Sequence, residues 1–434
     1  MSTGLFYAIM PAIILQGVIV LGRKFYPLRP IQRWLVDTHF NKAKSTMMNI
    51  GGLFKLAASI DMQHLADAIN YVIEQHDIFR CRLVFDPKTS DMCQIFDDEN
   101  EPVKVEHMSD DEFKARMDKL KEPYYLIYEP LWRINLIETP SAKYLYADFY
   151  HAIMDGVASS YLFVRAVDAA YRGRKMRTPL SYADYVEEEA KIPPEDLKIG
   201  HQYWRKMLAP FDKEKHLPPV KVQNVAPWTK GSLDYEFKDL TEEFFRTTRL
   251  EENIYFLGAS MLTMAKVTGS KESIMSWIHN GRTNMHERRL MGIMLEQYPC
   301  AWDFHKDISV SDFLNKLKGQ TQIGMTYRKS LDIVYNEGLE DDCVSFIFQK
   351  YMHGDLMLAD MPAEVVYLPP NEISAAENAL DIEVESEETG TYNLFLDYDA
   401  GRYSEEEMLN FALTMEKILL DMRDTSRKVS ELLT

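Results

Sequence analysis

The sequence predicts an α/β protein of two domains, each built from a mixed sheet and helices. Its 434 residues, 46% hydrophobic and 12% aromatic, can bury one large core or two ordinary ones, and the usual size of a domain favours two. Segments with strand-like alternation are interleaved with segments of helical spacing along the chain. This composition and patterning indicate a globular protein and exclude a disordered one.

The central part of the pattern is a strand that leads into a helix. Residues 144–150 alternate in the manner of a β-strand, and from Val157 apolar residues recur at helical spacing. The junction places His151 at the strand end, Asp155 four residues later, and Gly156 where we expect the backbone to turn closely into the helix. These residue types suit a base, its structural support, and N–H groups that stabilise an oxyanion. A lone histidine at a strand end is more often a satisfied core or surface residue than a base, so spacing alone favours the structural interpretation.

Further elements of the first half follow from capping and periodicity. They are a helix from Asp61 to about His76, a strand over 79–85, an acidic loop over 97–112, a short amphipathic helix over 113–121, and paired strands over 131–137 and 144–150.

Charged and proline-rich stretches then indicate linkers, at 187–196 and from Leu208 to Pro227. We therefore place the boundary between the domains near residue 186. The predicted elements beyond it are a strand over 232–237, a helix over 254–267 stopped at Gly269, a strand over 273–279, a strand from Tyr392, and a capped helix over 404–422.

Residues 1–22 form an apolar extension. Residues 5–22 carry no charge, are long enough to span a bilayer, and precede Arg23-Lys24, a basic pair that would keep the remainder cytoplasmic. Pro11 and Gly17 weaken a spanning helix, and no secretory cleavage site is evident. A membrane anchor, a buried or poorly ordered extension and an over-long reading frame all stay open. The domains are then 23–186 and 187–434.

Charge and cysteine usage exclude several classes of function. The formal net charge is −18 and no basic stripe occurs, which argues against nucleic-acid binding. The four cysteines, Cys81, Cys93, Cys300 and Cys343, have neither paired spacing nor a histidine cluster nearby. We expect a reducing, cytoplasmic compartment and no metal. Cys81 lies between Arg80 and Arg82, which could activate it, but an ordinary strand cysteine is the preferred interpretation.

The motif His151-x-x-x-Asp155-Gly156 resembles the signature of the acyltransferase superfamily. That superfamily includes chloramphenicol acetyltransferase, plant and fungal acyltransferases, and the condensation domains of nonribosomal peptide synthetases. Other segments resemble condensation domains in particular and occur in the same order, so the resemblance covers residues 26 to about 422. These segments are 26–37, which carries Gln32, 75–80, 180–185, 203–208, 280–282, 292–299 and 392–398.

This resemblance implies two chloramphenicol acetyltransferase-like lobes in a V-shaped pseudo-dimer, here a monomer. It also implies tunnels that meet at the active histidine. One brings an acyl thioester on the phosphopantetheine arm of a carrier protein, or coenzyme A, and the other an amine or alcohol. No bound cofactor is expected.

The resemblance also assigns roles to residues. His151 is base or positioner, and Gly156 leaves room for substrate and presents its N–H to the oxyanion. Asp155 is structural, because a buried carboxylate needs a cationic partner. Relatives use an arginine, and Arg282 is the first candidate for it, ahead of Arg33 and Arg80. Trp277 is a candidate substrate-binding residue.

Three features depart from the condensation-domain pattern. Tyr150 replaces a second histidine, although adjacent strand residues face opposite ways and the change need not affect activity. Glu296 replaces an asparagine and places a carboxylate near the donor side. Residues 327–333 replace a His-Gln-Asp stretch.

The sequence shows no adenylation or carrier segment, so we expect a freestanding condensation-type acyltransferase that joins a thioester to an amine in nonribosomal peptide or lipopeptide biosynthesis. A coenzyme A-dependent O-acyltransferase is the alternative within enzymes. A binding or scaffold homologue without activity is the third hypothesis.

Overall fold

The computed structural model describes residues 23–41, 45–96, 99–174, 178–211, 225–226, 228–339, 344–350, 356–368 and 376–434. The expectations for residues 1–22, for Cys343 and for most of the stretch before Pro227 lie outside the described residues. None of the helices in these ranges combines the length and apolarity needed to cross a membrane.

The chain forms two compact units. The first comprises Met1–Ile192, Asn280–Leu295 and Asp355–Ile373, and the second comprises Pro193–His279, Glu296–Gly354 and Ser374–Thr434. The sequence suggests two contiguous halves that meet near residue 186. The structure differs because two later segments of the chain return to the first unit, one by strand pairing and the other by hydrogen bonds around Asp155.

Fifteen strands are described. They are β1 (Tyr26–Pro27), β2 (Asn49–Leu56), β3 (Arg82–Phe85), β4 (Met92–Ile95), β5 (Val105–His107), β6 (Trp132–Glu138), β7 (Lys143–Tyr150), β8 (Lys230–Phe237), β9 (Glu272–His279), β10 (Glu296–Asp303), β11 (Val344–Lys350), β12 (Leu356–Leu358), β13 (Met361–Val366), β14 (Leu380–Ser386) and β15 (Tyr392–Asp399).

The described α-helices are α1 (Pro30–Asn41), α2 (Met62–Gln75), α3 (Asp110–Met117), α4 (Val164–Tyr171), α5 (Tyr182–Ala190), α6 (Pro194–Leu208), α7 (Glu242–Thr248), α8 (Glu252–Thr268), α9 (Val310–Thr326), α10 (Asp332–Asn336), α11 (Glu405–Asp421) and α12 (Val429–Leu433). A π-helical segment, Val157–Phe163, precedes α4. Short 3-10 turns lie at Asp77–Arg80, Glu287–Arg289 and Arg328–Ser330.

The first unit has a six-stranded sheet in the order β12-β13-β2-β7-β6-β5 and a small sheet in the order β1-β4-β3. The predicted pairing of β6 with β7 is present and antiparallel. On its other side β7 pairs with β2, from Asn49 opposite Tyr150 to Leu56 opposite Lys143. These neighbours hold the end of β7, where His151 follows, inside the sheet.

The second unit has a six-stranded mixed sheet in the order β10-β9-β11-β14-β15-β8, in which β11 runs parallel to both β9 and β14. Its core packs α8 and α11 against this sheet. As expected, α8 ends at Gly269, whose φ is 68°, and Ser404 caps α11 in a capping box with Glu407.

Two sequence interpretations were wrong. The Pro193-Pro194 stretch, read as linker, begins α6, because proline is tolerated at the first helical position. The acidic stretch 97–112, expected to be loop, contains β5 and the start of α3, whose capping box joins Ser109 and Glu112. In both cases a local signal for irregular structure marked the start of an element.

Candidate active site

The motif occupies the turn between β7 and the π-helical segment. The His151 N–H donates to the Met48 carbonyl at 2.8 Å, and the Ile153 N–H donates to the Tyr150 carbonyl at 3.0 Å. Gly156 has φ −55° and ψ −40°, which every residue type adopts in a right-handed helix. The expectation that this glycine is needed for a close turn was therefore wrong, and side-chain size is the property of glycine that can matter here.

The His151 ring is held in one orientation by the main chain. Nδ1 lies 3.0 Å from the Met154 carbonyl oxygen. Because a carbonyl oxygen only accepts, Nδ1 carries the proton and the lone pair of the neutral ring lies on Nε2. The ring is partly exposed, and Nε2 has no hydrogen-bond partner among the described residues. This geometry suits a group that accepts a proton from a bound molecule.

The Asp155 carboxylate is buried and accepts four hydrogen bonds. Its Oδ1 accepts from the Ala158 N–H at 2.8 Å, which caps the π-helical segment. Its Oδ2 accepts from Arg282 Nη1 at 2.5 Å and from the N–H groups of Met294 at 2.7 Å and Leu295 at 3.2 Å. One carboxylate thus ties the motif to the segment 280–295.

Arg282, the first of the three arginines expected to face this carboxylate, makes the contact. Its guanidinium also donates to the carbonyls of Asn280 at 3.1 Å and Gly292 at 3.0 Å. Its Nε is buried without a partner among the described residues. The two other candidates bond elsewhere, Arg33 to the Met92 carbonyl and Arg80 to the carbonyls of Glu74 and Phe96.

The segment 280–295 is fixed by close packing as well. Gly292 has φ 148°, and a Cβ added to it would lie 2.3 Å from Tyr182 Cδ2. The Tyr182 hydroxyl donates to the Ile293 carbonyl at 2.9 Å, and so does Arg29 Nη1 at 2.9 Å. These contacts hold Met294, the next residue, so that its N–H donates a hydrogen bond to the Asp155 carboxylate.

Tyr150 is fully buried. Its hydroxyl donates to the Leu35 carbonyl at 3.3 Å, and its ring makes an edge contact with His39, 5.5 Å between centroids. Burial raises the pKa of the phenol well above its usual value. These contacts are those of a packing residue, and the orientation of Tyr150 away from substrate stays a prediction.

The remaining candidates, Trp277 and Glu296, belong to the second unit. Trp277 is 3% exposed, its indole N–H donates to Asn253 Oδ1 at 3.2 Å, and its ring packs near Tyr298. Glu296 is buried at the start of β10, opposite His279. Packing in the core explains the tryptophan, and a role of either residue in substrate binding stays a prediction.

Several contributors to the site were missed from the sequence. The cap on Ala158 follows the rule that aspartate precedes a helix, so this contact could have been found. The Met154 carbonyl and the N–H groups of Met294 and Leu295 act through the main chain, which gives no residue-type signal.

The part of the chain that the structure describes contains no cluster of three or more histidine, cysteine or acidic side chains that could hold a metal. Cys81, Cys93 and Cys300 are free and buried, and burial raises the pKa of each thiol, to about 12 for Cys93 and Cys300. Such thiols are poor nucleophiles near neutral pH.

Comparison with known proteins gives consistent results. The sequence profile of the condensation domain matches residues 22–434. Tyrocidine synthase 3 of Brevibacillus parabrevis is 22% identical over 68% of this chain and 5% of its own length. Surfactin synthase subunit 1 of Bacillus subtilis (strain 168) is 22% identical over 88% of this chain and 11% of its own length. The chain therefore spans a small part of these curated relatives.

Solved structures agree on the fold. The condensation domain from the monacolin K polyketide synthase MokA has a TM-score of 0.77 at 15% identity, covering 94% of this chain and 99% of that one. A mutant of the starter condensation domain of rhizomide synthetase RzmA, in complex with C8-CoA, has a TM-score of 0.73 at 16% identity, covering 94% and 96%. Condensation domains catalyse acyl transfer in nonribosomal peptide and polyketide systems. With its fold, its motif and the profile match over residues 22–434, this chain belongs to the condensation-domain family.

Proposed function

We propose that this chain transfers an acyl group from a pantetheine thioester to an amine, with His151 as the proton acceptor. The observation that carries the proposal is the bond between the Nδ1–H of His151 and the Met154 carbonyl, which leaves Nε2 as the free basic atom of a fixed ring. A fixed imidazole with its lone pair available suits general-base catalysis.

The proposed step balances without a further reactant. The amine nitrogen attacks the thioester carbonyl carbon, the C–N bond forms, and the C–S bond breaks. Nε2 of His151 takes the proton that the nitrogen loses, and the proton then passes to the sulfur of the departing thiol. Gly156 gives this site a residue without a side chain and a backbone N–H at the helix start, where an oxyanion is favoured.

Asp155 and Arg282 are proposed to position this chemistry without taking part in it. Both groups are occupied by each other and by main-chain partners. Their function would be to hold the turn that carries His151, because well-oriented reactants supply much of the rate enhancement of a bimolecular transfer.

The acyl donor is the next element of the proposal. Nonribosomal relatives use carrier proteins, and the RzmA domain was solved with an acyl coenzyme A. The pantetheine thioester is common to both, so we propose it as the donor class. The likeness to tyrocidine and surfactin synthases supports the proposal of an amine as acceptor.

A transfer assay tests the proposal. Purified protein receives acyl-coenzyme A or carrier-loaded thioesters together with mixed amines and alcohols. His151→Ala should lower turnover about 100- to 10,000-fold, whereas His305→Ala, an exposed histidine of the second unit, should not change it. Products formed only from coenzyme A and hydroxyls would replace the amine with an alcohol as acceptor. Unchanged turnover in His151→Ala would reject the catalytic role.

The assay also addresses a scaffold function. The X-domain from teicoplanin biosynthesis, solved in complex with OxyB, has a TM-score of 0.77 with this chain at 16% identity. The fold is thus also found in a protein captured with a protein partner. A complete lack of turnover with every donor and acceptor would favour that function here.

A further inference from the structure

Two buried glutamines, Gln32 and Gln94, pair with each other next to the turn that carries His151, and Gln32 contacts Ala152 in that turn. Neither side chain is exposed. Gln32 is in the first turn of α1 and Gln94 is on β4, 62 positions apart in the sequence. Their side-chain amides face each other, with Gln32 Nε2 3.0 Å from Gln94 Oε1 and Gln94 Nε2 3.0 Å from Gln32 Oε1.

Each of the two amides uses its full hydrogen-bonding capacity. Gln32 Oε1 also accepts from the Arg29 N–H at 3.0 Å, and Gln32 Nε2 also donates to the Ala152 carbonyl at 2.9 Å. Gln94 Nε2 donates to the Pro27 carbonyl at 2.9 Å, and Gln94 Oε1 accepts a weak bond from Cys81 Sγ at 3.7 Å. A side-chain amide has two donors and two acceptor sites, so both groups are satisfied.

This arrangement fixes the direction of both amides. Turning the Gln32 amide over would bring its oxygen against the Ala152 carbonyl and its N–H against the Arg29 N–H, leaving buried groups unpaired. Gln32 therefore presents a donor to Ala152 in a single orientation.

Ala152 directly follows His151 in the turn. The Ile153 N–H closes that turn on the Tyr150 carbonyl, and the Met154 carbonyl at its end orients the imidazole. The peptide group between Ala152 and Ile153 carries both this N–H and the carbonyl that Gln32 bonds to, and it lies one residue before Met154. Fixing its carbonyl thus fixes the path of the chain that carries the Met154 carbonyl to Nδ1.

We propose that Gln32 is a positioning residue that keeps His151 in the Nδ1–H tautomer by holding the Ala152 carbonyl. The inference rests on the proposed function of His151. Gln32 does not touch the reacting atoms, and its effect passes through the turn.

Paired substitutions separate this role from general stability. Gln32→Leu and Gln94→Leu each remove one amide from the same buried pair, so both should lower the urea midpoint. Of these two glutamines, Gln32 is the one that bonds to Ala152. In the transfer assay Gln32→Leu should lose about 10- to 100-fold in kcat with KM nearly unchanged, whereas Gln94→Leu should lose less than about threefold.

A spectroscopic measurement serves as an independent test. In protein labelled with 15N-histidine, the His151 signals are identified by their loss in His151→Ala. Wild type should show a protonated Nδ1 and an unprotonated Nε2, and Gln32→Leu should show a mixture of tautomers. If Gln32→Leu does not fold, Gln32→Asn, with an amide one methylene shorter, takes its place in both measurements.

The outcomes distinguish the two proposals. Equal kcat losses in the Gln32 and Gln94 variants, or an unchanged tautomer in the Gln32 variant, would overturn the positioning role while an inactive His151→Ala protein keeps the proposed function. Turnover that survives in His151→Ala overturns the proposed function itself, whatever the Gln32 variants show.

Discussion

Asp155 and Arg282 form an ion pair in which both side chains are only 3% exposed, with 2.5 Å between Oδ2 and Nη1. The two residues lie 127 positions apart in the sequence, yet both belong to the first unit. Taking two charges out of water is costly, and this cost is recovered only when good geometry and further hydrogen bonds compensate both groups. Here main-chain N–H groups complete the partners of Asp155, and carbonyls accept from Nη1 and Nη2 of Arg282, whereas its Nε has no partner among the described residues.

Removing the Asp155 carboxylate should therefore lower the stability of the fold, and activity should fall as a consequence. Asp155→Ala leaves the Arg282 charge buried and frees three backbone N–H groups, so we expect a loss of about 3–5 kcal/mol in the free energy of unfolding. Soluble yield and activity should fall together. Urea unfolding monitored by fluorescence measures the loss.

The double variant Asp155→Ala/Arg282→Met is the matched control, because it removes the unpaired charge. It should recover part of the lost stability. A well-folded but inactive Asp155→Ala protein would contradict this interpretation and place the carboxylate in the chemistry.

The contact between Gly292 and Tyr182 gives a second prediction. The φ of Gly292 is 148°, a value that residues with a side chain rarely adopt. A Cβ added at this position would also lie 2.3 Å from the Tyr182 ring. Strain and overpacking together should cost Gly292→Ala about 2–4 kcal/mol. Differential scanning calorimetry would show the lowered Tm, and activity should fall because the neighbouring Met294 N–H bonds to Asp155.

Gly319 provides the comparison. It lies in α9, has an ordinary helical φ, and would place a new Cβ with nothing within 4 Å. Gly319→Ala should stabilise the protein by about 0.5–1 kcal/mol. Similar Tm values for the Gly292→Ala and Gly319→Ala proteins would show that the predicted clash is absent.

The elements that could be predicted from the sequence are those with a local signal, such as alternation, a cap or a stop. The alternation of residues 144–150, the cap at Asp61 and the stop at Gly269 each predict an element that is present. The partner of a strand is not encoded in this way. β13 pairs with β2 from about 300 positions away, Val366 opposite Leu53, and no periodicity in either segment indicates that contact.

The same limit applies to the site. His151, Asp155 and Gly156 are adjacent, so a motif reveals them, and the resemblance pointed to Arg282. Gln32 reaches Ala152 from 120 positions away, and its segment, although it resembles the family's opening, carries no sign of that contact. Side chains that act by holding a distant carbonyl need the structure to be found.

Buried histidines should make stability sensitive to acid. Burial lowers the pKa of His76 to about 4, from 6.5. Below about pH 6.5 the unfolded chain therefore binds a proton at His76, whereas the folded chain binds it only near pH 4. Stability should fall as the pH drops from about 6.5 to about 4, by about 3 kcal/mol for this residue, and level off below.

His76→Leu tests this directly. Both ring nitrogens of His76 are buried without partners among the described residues, so leucine removes the titration without breaking a hydrogen bond. Urea midpoints measured at about pH 7 and about pH 4.5 should differ less in His76→Leu than in wild type. His286→Ala, at an exposed histidine, serves as control and should keep the wild-type difference. An unchanged pH dependence in His76→Leu would contradict the assignment.

The departure at Tyr150 yields the last prediction. The residue precedes His151, but its hydroxyl bonds to the Leu35 carbonyl and its ring packs on His39 and Tyr124. Adjacent strand residues point to opposite faces, so Tyr150→Phe should cost about 0.5–1.5 kcal/mol in stability and leave kcat within about threefold of wild type. Tyr125→Phe, at a side chain that is 83% exposed, should change neither quantity. If kcat fell in Tyr150→Phe as far as in His151→Ala while the urea midpoint held, the phenol would belong to the reaction, and the tyrosine would be a functional replacement for the missing histidine instead of a packing residue.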